Sequence, residues 1–167
     1  MIRKLLSIIF LFGLLPLTAF AQQKPDFSGT WKLNVTKSDF GPAPGFDNRT
    51  DVITHKDPSL TVSSNSDGAL GKLQYTANYT TDGKEVVNKF ADREFKSTVK
   101  WQDDNLVVNS KFNFNDTDIT AVATWALATD GKTLTINAHF SSSMGEADQK
   151  LLFEKQDTGV TTPAKNP

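Results

Sequence analysis

Phe27-Ser28-Gly29-Thr30-Trp31-Lys32-Leu33-Asn34-Val35 alternates without exception: odd positions are apolar or glycine, even positions polar. Successive side chains of an extended strand point to opposite faces, so this pattern predicts a strand with one face buried and one in water. Trp31, on the apolar face, supplies a large core anchor. The stretch holds no catalytic motif, so it speaks to architecture and not to chemistry.

The same period recurs down the chain. Leu73, Tyr75, Ala77 and Tyr79 share one face, as do Phe95, Ser97, Val99 and Trp101, and Leu106, Val108, Ser110, Phe112 and Phe114. Ile119, Ala121, Ala123, Trp125 and Leu127 follow, then Leu134, Ile136, Ala138 and Phe140. Asp67-Gly68, Asp82-Gly83 and Asp130-Gly131 fall between runs, and Asp-Gly is a strong hairpin signal. Ten strands are predicted: 27–35, 50–56, 60–65, 72–80, 84–91, 94–101, 105–113, 117–128, 132–140 and 148–155. The second and third are weakly patterned. Short gaps make sequence neighbours antiparallel partners. Thr36 to Arg49, with Gly41-Pro42-Ala43-Pro44-Gly45, reads as a long loop, because its prolines and glycines oppose a helix. Residues 157–167 read as a polar tail.

Ten short strands with one apolar face each must bring those faces together and protect the sheet edges. An antiparallel up-and-down β-barrel of eight to ten strands does both, so the fold class is all-β. Its lumen has room for side chains and one small ligand. Trp31, Tyr75, Tyr79, Phe95, Trp101, Phe112, Trp125, Phe140 and Phe153 are the candidate lumen residues, an aromatic set suited to a hydrophobic guest. The alternative is that these rings fill the core and leave no cavity.

The N-terminus carries a leader pattern: Arg3-Lys4, an apolar run from Leu5 to Leu17, then Ala19-Phe20-Ala21 as a cleavage site. A signal peptide over 1–21, a barrel domain over 22–156 and export to the periplasm or the extracellular space are therefore expected. Removing the leader leaves 16 basic against 19 acidic residues, a formal charge of −3, which gives no electrostatic case for nucleic acid. With no cysteine, disulfides, thiolate catalysis and Cys-ligated metal are excluded.

Phe27-Ser28-Gly29-Thr30-Trp31-Lys32-Leu33 closely resembles the opening strand of the fatty-acid-binding proteins, and its Gly-x-Trp core is shared with the lipocalins of the wider calycin group. Asp130-Gly131-Lys132-Thr133-Leu134-Thr135-Ile136 and Leu152-Phe153-Glu154-Lys155 are similar to that family's last two strands. The resemblance implies a ten-stranded barrel and a small hydrophobic ligand. Two departures follow from it. The family's helical lid corresponds here to the Pro/Gly stretch, and the Arg-x-Tyr pair that holds a fatty-acid carboxylate corresponds to Leu151 and Phe153. That headgroup capture is not carried over. The whole looks like a secreted bacterial lipocalin-like protein.

Chemistry-bearing constellations are sparse. His55 and His139 are the two histidines, with His139 on the outward phase of its strand. No Ser-His-Asp set, phosphate loop or metal-ligand spacing occurs, so no enzyme, cofactor or metal is expected. Ser97, Ser110 and Asn88 fall on apolar-phase positions, where they either orient a guest or are satisfied by neighbouring groups. Four Asn-x-Thr tripeptides match the glycosylation pattern, as chance allows in a chain rich in Asn and Thr.

The sequence thus favours an exported barrel that binds a small hydrophobic molecule, without nucleic acid and without stable membrane insertion. Three other readings stand beside it: an interaction module with a filled core, a small outer-membrane barrel, and an enzyme or haem protein on the same fold.

Overall fold

A computed structural model describes residues 24–90 and 93–157. The expected leader and nearly all of the expected tail lie outside the described residues. Ten strands form one antiparallel sheet: β1 (Gly29–Leu33), β2 (Phe46–Lys56), β3 (Ser59–Gly68), β4 (Leu73–Thr80), β5 (Val86–Phe90), β6 (Arg93–Gln102), β7 (Asn105–Phe114), β8 (Thr117–Leu127), β9 (Thr133–Ser142) and β10 (Gly145–Gln156). Each strand pairs with its sequence neighbour except β4 with β5, and β1 pairs with both β2 and β10. The meander therefore curls into a nearly closed up-and-down barrel with one seam, between β4 and β5.

Asn88 bridges that seam. The Asn78 amide donates to its Oδ1 at 2.8 Å, and its Nδ2 donates to the Asn78 carbonyl at 2.8 Å. A side chain thereby takes the place of one rung of backbone ladder. Ser97 and Ser110, facing each other across β6 and β7, are 2.7 Å apart and satisfy one another. These apolar-phase polar residues are thus satisfied by neighbouring groups.

The opening motif has a local reason. Gly29 has φ +145°, and a Cβ there would lie 2.5 Å from Cε of Lys155. The missing side chain lets Lys155 cross the strand and set its ammonium 5.2 Å from the centre of the Trp31 ring. Trp31 is fully buried, and its indole N–H donates to the Phe27 carbonyl at 2.9 Å. The strand itself is shorter than expected. Phe27 and Ser28 precede it, and Val35–Lys37 forms a 3₁₀ turn capped by the Asn34 side chain.

Thr36–Arg49 is not one long loop. Asn34 donates to the Leu152 carbonyl at 2.8 Å, and Asp39 and Lys150 exchange backbone bonds at 2.8 and 2.7 Å. The segment thus runs along β10 and extends the wall, and its last four residues begin β2. Its prolines exclude a helix but not an extended backbone, and β10 supplies the partners. Asp67-Gly68 is likewise not a turn: both residues still pair with β2, whose early start gives them partners. A Cβ on Gly68 would lie 2.5 Å from the Gly45 carbonyl oxygen, so glycine there permits close backbone approach.

Phe27, Trp31, Leu60, Leu106, Leu134 and Phe153 make a sealed core at one end of the barrel. Phe27 reaches it from the segment that crosses this end ahead of β1. Outward positions such as Lys32, Thr76, Glu94, Lys96 and Lys100 are exposed. Most apolar side chains face in and most charged ones face out, the reverse of a barrel that crosses lipid.

Candidate functional site

The odd-numbered ends of the strands (β3 to β4, β5 to β6, β7 to β8, β9 to β10) meet at the opposite end, and there the barrel is not filled. A cavity of about 360 Å³, open to solvent on one side, has Tyr75, Tyr79, Phe90, Phe95, Phe112, Phe114 and Phe140 in its wall. Leu70, Arg93, Glu94 and Ser110 contribute to its rim and side. This volume lies within the range of small-molecule sites. Tyr75 and Phe90 meet edge to face across the seam, with centroids 5.5 Å apart.

The predicted lumen residues divide between the two ends. Tyr75, Tyr79, Phe95, Phe112 and Phe140 come together around the cavity. Trp31, Trp125 and Phe153 are buried in the sealed core. Trp101 sits at the closed end, half-buried, with its ring 6.0 Å from that of Phe27 and its indole N–H donating to Asp57 at 2.8 Å.

The inner face of β2 also carries an ion pair that is not among the sequence-predicted lumen residues. Arg49 and Asp51 are both inward-facing on β2, since alternate residues share a face. Nε of Arg49 donates to Oδ1 of Asp51 at 3.0 Å and Nη2 to Oδ2 at 2.8 Å, a two-pronged pair. The Asp51 side chain is 2 % exposed and that of Arg49 14 %. The guanidinium carbon stands 5.3 Å from the Phe46 ring centre and 5.4 Å from that of Phe153. Burial works against the Arg49 charge, but Tyr75 and Asp51 beside it outweigh burial and hold it protonated beyond its ordinary range. Burial, reinforced by Tyr75, in turn pushes the Tyr79 phenol upward, so it stays neutral.

Ser64 lies directly across from Asp51 on β3 and from Tyr75 on β4. Its hydroxyl is buried and finds no hydrogen-bond partner among the described residues. An orphaned buried hydroxyl costs about 1–3 kcal/mol. The signal for these residues was present in the sequence. Arg49, Asp51, Ile53 and His55 share one phase, as do Leu60, Val62, Ser64 and Ser66, but reading Arg49 into a loop hid it.

The two histidines differ sharply. His139 is exposed and bonded to Asp148 at 2.8 Å, which raises its pKa. His55 is buried at the closed end, where its Nδ1 accepts the Phe27 amide at 3.3 Å while Nε2 has no partner within hydrogen-bond distance. Its Nε2 lies 3.8 Å from Asp57. Among the described residues no three of His, Cys, Asp and Glu gather as metal donors.

Neither the family models nor the curated proteins contain a match to this chain. Solved structures do. The zebrafish ileal bile acid-binding protein, solved with cholic acid, superposes with TM-score 0.54 at 16 % identity, covering 78 % of this chain and 98 % of its own. A secretory abundant heat soluble protein of Ramazzottius varieornatus gives TM-score 0.57 at 10 % identity, over 80 % of this chain and 98 % of that one. Heat soluble protein 4 of the same organism gives 0.55 at 13 % identity, over 81 % and 99 %. At such identities the likeness is one of fold, and the fold is a ten-stranded, nearly closed antiparallel barrel of the fatty-acid-binding-protein type.

Proposed function

We propose that this chain is an exported carrier or sensor of a small hydrophobic molecule, held in the aromatic cavity at the open end of the barrel. The carrying observation is the cavity itself: about 360 Å³ remains where seven aromatic rings converge. The bile acid-binding protein, a barrel of the same fold solved with cholic acid, supports a small guest with a hydrophobic body. Export rests on the leader pattern ahead of Gln22.

Nile red fluorescence and native mass spectrometry of the purified mature protein test the binding. The expected result is a blue-shifted, saturable dye signal that apolar competitors displace. A silent dye and a ligand-free mass spectrum under all guests would refute it. N-terminal sequencing of protein recovered from the extracytoplasmic fraction tests export, with Gln22 as the expected first residue.

A further inference from the structure

The Arg49–Asp51 pair and Ser64 form a polar spot on an inner wall that is otherwise largely apolar. Replacing a buried ion pair by apolar side chains is often neutral or stabilising, so the pair is not explained by stability. The orphaned Ser64 hydroxyl has no stabilising role at all. The Arg49 fork spends two of its five N–H donors on Asp51, and the other three have no acceptor among the described residues. Strand register connects the spot to the cavity: Ser64 is paired with Asp51 on one side and with Tyr75 on the other, and Tyr75 lines the cavity.

We propose that this spot receives the polar end of the guest and selects an uncharged acceptor oxygen (alcohol, ester, ketone or amide) over a free carboxylate. This inference rests on the guest-binding reading above. A neutral oxygen can accept from the free guanidinium N–H groups and from the Ser64 hydroxyl, leaving every partner satisfied. A carboxylate would instead put a second negative charge beside Asp51, with one guanidinium between the two, in a weakly polar interior where like charges repel strongly. Asp51 therefore acts as the specificity-determining residue: it converts a cationic site into a neutral one that still donates.

Competition against Nile red tests this, with dodecane, 1-dodecanol, methyl dodecanoate and dodecanoate at a pH where the acid is ionised. In the wild-type protein dodecanol and the ester are expected to outcompete dodecanoate about tenfold or more, and to outcompete dodecane. Asp51→Asn is expected to lift dodecanoate to parity or beyond. Ser64→Ala is expected to shrink the advantage of dodecanol over dodecane. Should Asp51→Asn fail to fold, the double variant Arg49→Met with Asp51→Leu replaces it, and there the dodecanol advantage over dodecane should shrink to what Ser64 alone supplies. Equal affinity of dodecanoate and dodecanol in the wild type overturns the inference, as does an order unmoved by these variants. Binding of all four chains without head preference refutes this inference alone. Binding of none refutes the guest-binding reading with it.

Discussion

At the closed end of the barrel Phe27, Trp31 and Phe153 are fully buried, whereas at the open end Phe95, Phe112 and Phe140 are only partly so. Apart from Phe27, which precedes β1, both sets sit on the inward phase of their strands. What separates them is cover. The residues before β1 cross the closed end, where the Ser28 hydroxyl and the His55 backbone exchange bonds at 3.0 and 2.9 Å and Phe27 is pressed into the core. The open end is bordered by hairpin turns, with Leu70, Phe114 and Met144 exposed there. An aromatic on a strand's inner face becomes core or cavity wall according to what closes the barrel above it.

The largest expected effect lies in the sealed half. Trp31→Ala should cost about 3–5 kcal/mol in chemical denaturation, while Phe140→Ala should cost about 1 kcal/mol because its ring is already partly in solvent. Equal losses would break the distinction between the ends. Next comes the ion pair on the inner face of β2. Asp51→Ala leaves a buried guanidinium unpaired and should cost about 3 kcal/mol or more, whereas Arg49→Met with Asp51→Leu should fall near the wild type. Urea midpoints of the two variants measure the contrast.

A smaller effect is expected at the seam. Asn88→Ala removes both bonds to the Asn78 backbone and should cost about 1–3 kcal/mol. Hydrogen exchange at the Asn78 amide should accelerate with it, and an unchanged rate would mean that the seam is held by other contacts.

The smallest effect is pH-linked and belongs to the closed end. Hydrogen bonds from the Thr81 hydroxyl and then the Trp101 indole hold the Asp57 carboxyl below its ordinary range. A depressed folded-state value contributes stability above the unfolded carboxylate value of about 4, and loses it as pH falls through the folded one. The side chain is 51 % exposed, so solvent screening keeps the contribution modest. The stability gap between the wild type and Asp57→Asn should be constant near neutrality and narrow only below about pH 4. A gap that opens on acidification would reverse the assignment.

Much of the fold was legible because period-two alternation states which side chains share a face, and Asp130-Gly131 punctuates the pattern where a turn needs left-handed backbone. Legibility failed at Thr36–Arg49. Proline and glycine there mark the absence of a helix, and nothing in the local residues reveals that β10 offers backbone partners to Asn34 and Asp39. The cavity was legible as a set of rings and not as a volume. The polar spot was legible by phase alone, since Arg49 and Asp51 alternate inward with Ile53, but β2 is too polar to advertise a buried face.

The sequence by itself therefore determined the strand order and the inward aromatic set, because each is a property of neighbours along the chain. Only the tertiary structure decided that one end is filled and the other hollow, that Asn88 closes the seam, and that a charge pair and an orphaned hydroxyl face each other on the inner wall. Those depend on which strands lie side by side and on what covers the barrel ends, and contacts across a closed sheet are set by its curvature rather than by any run of residues.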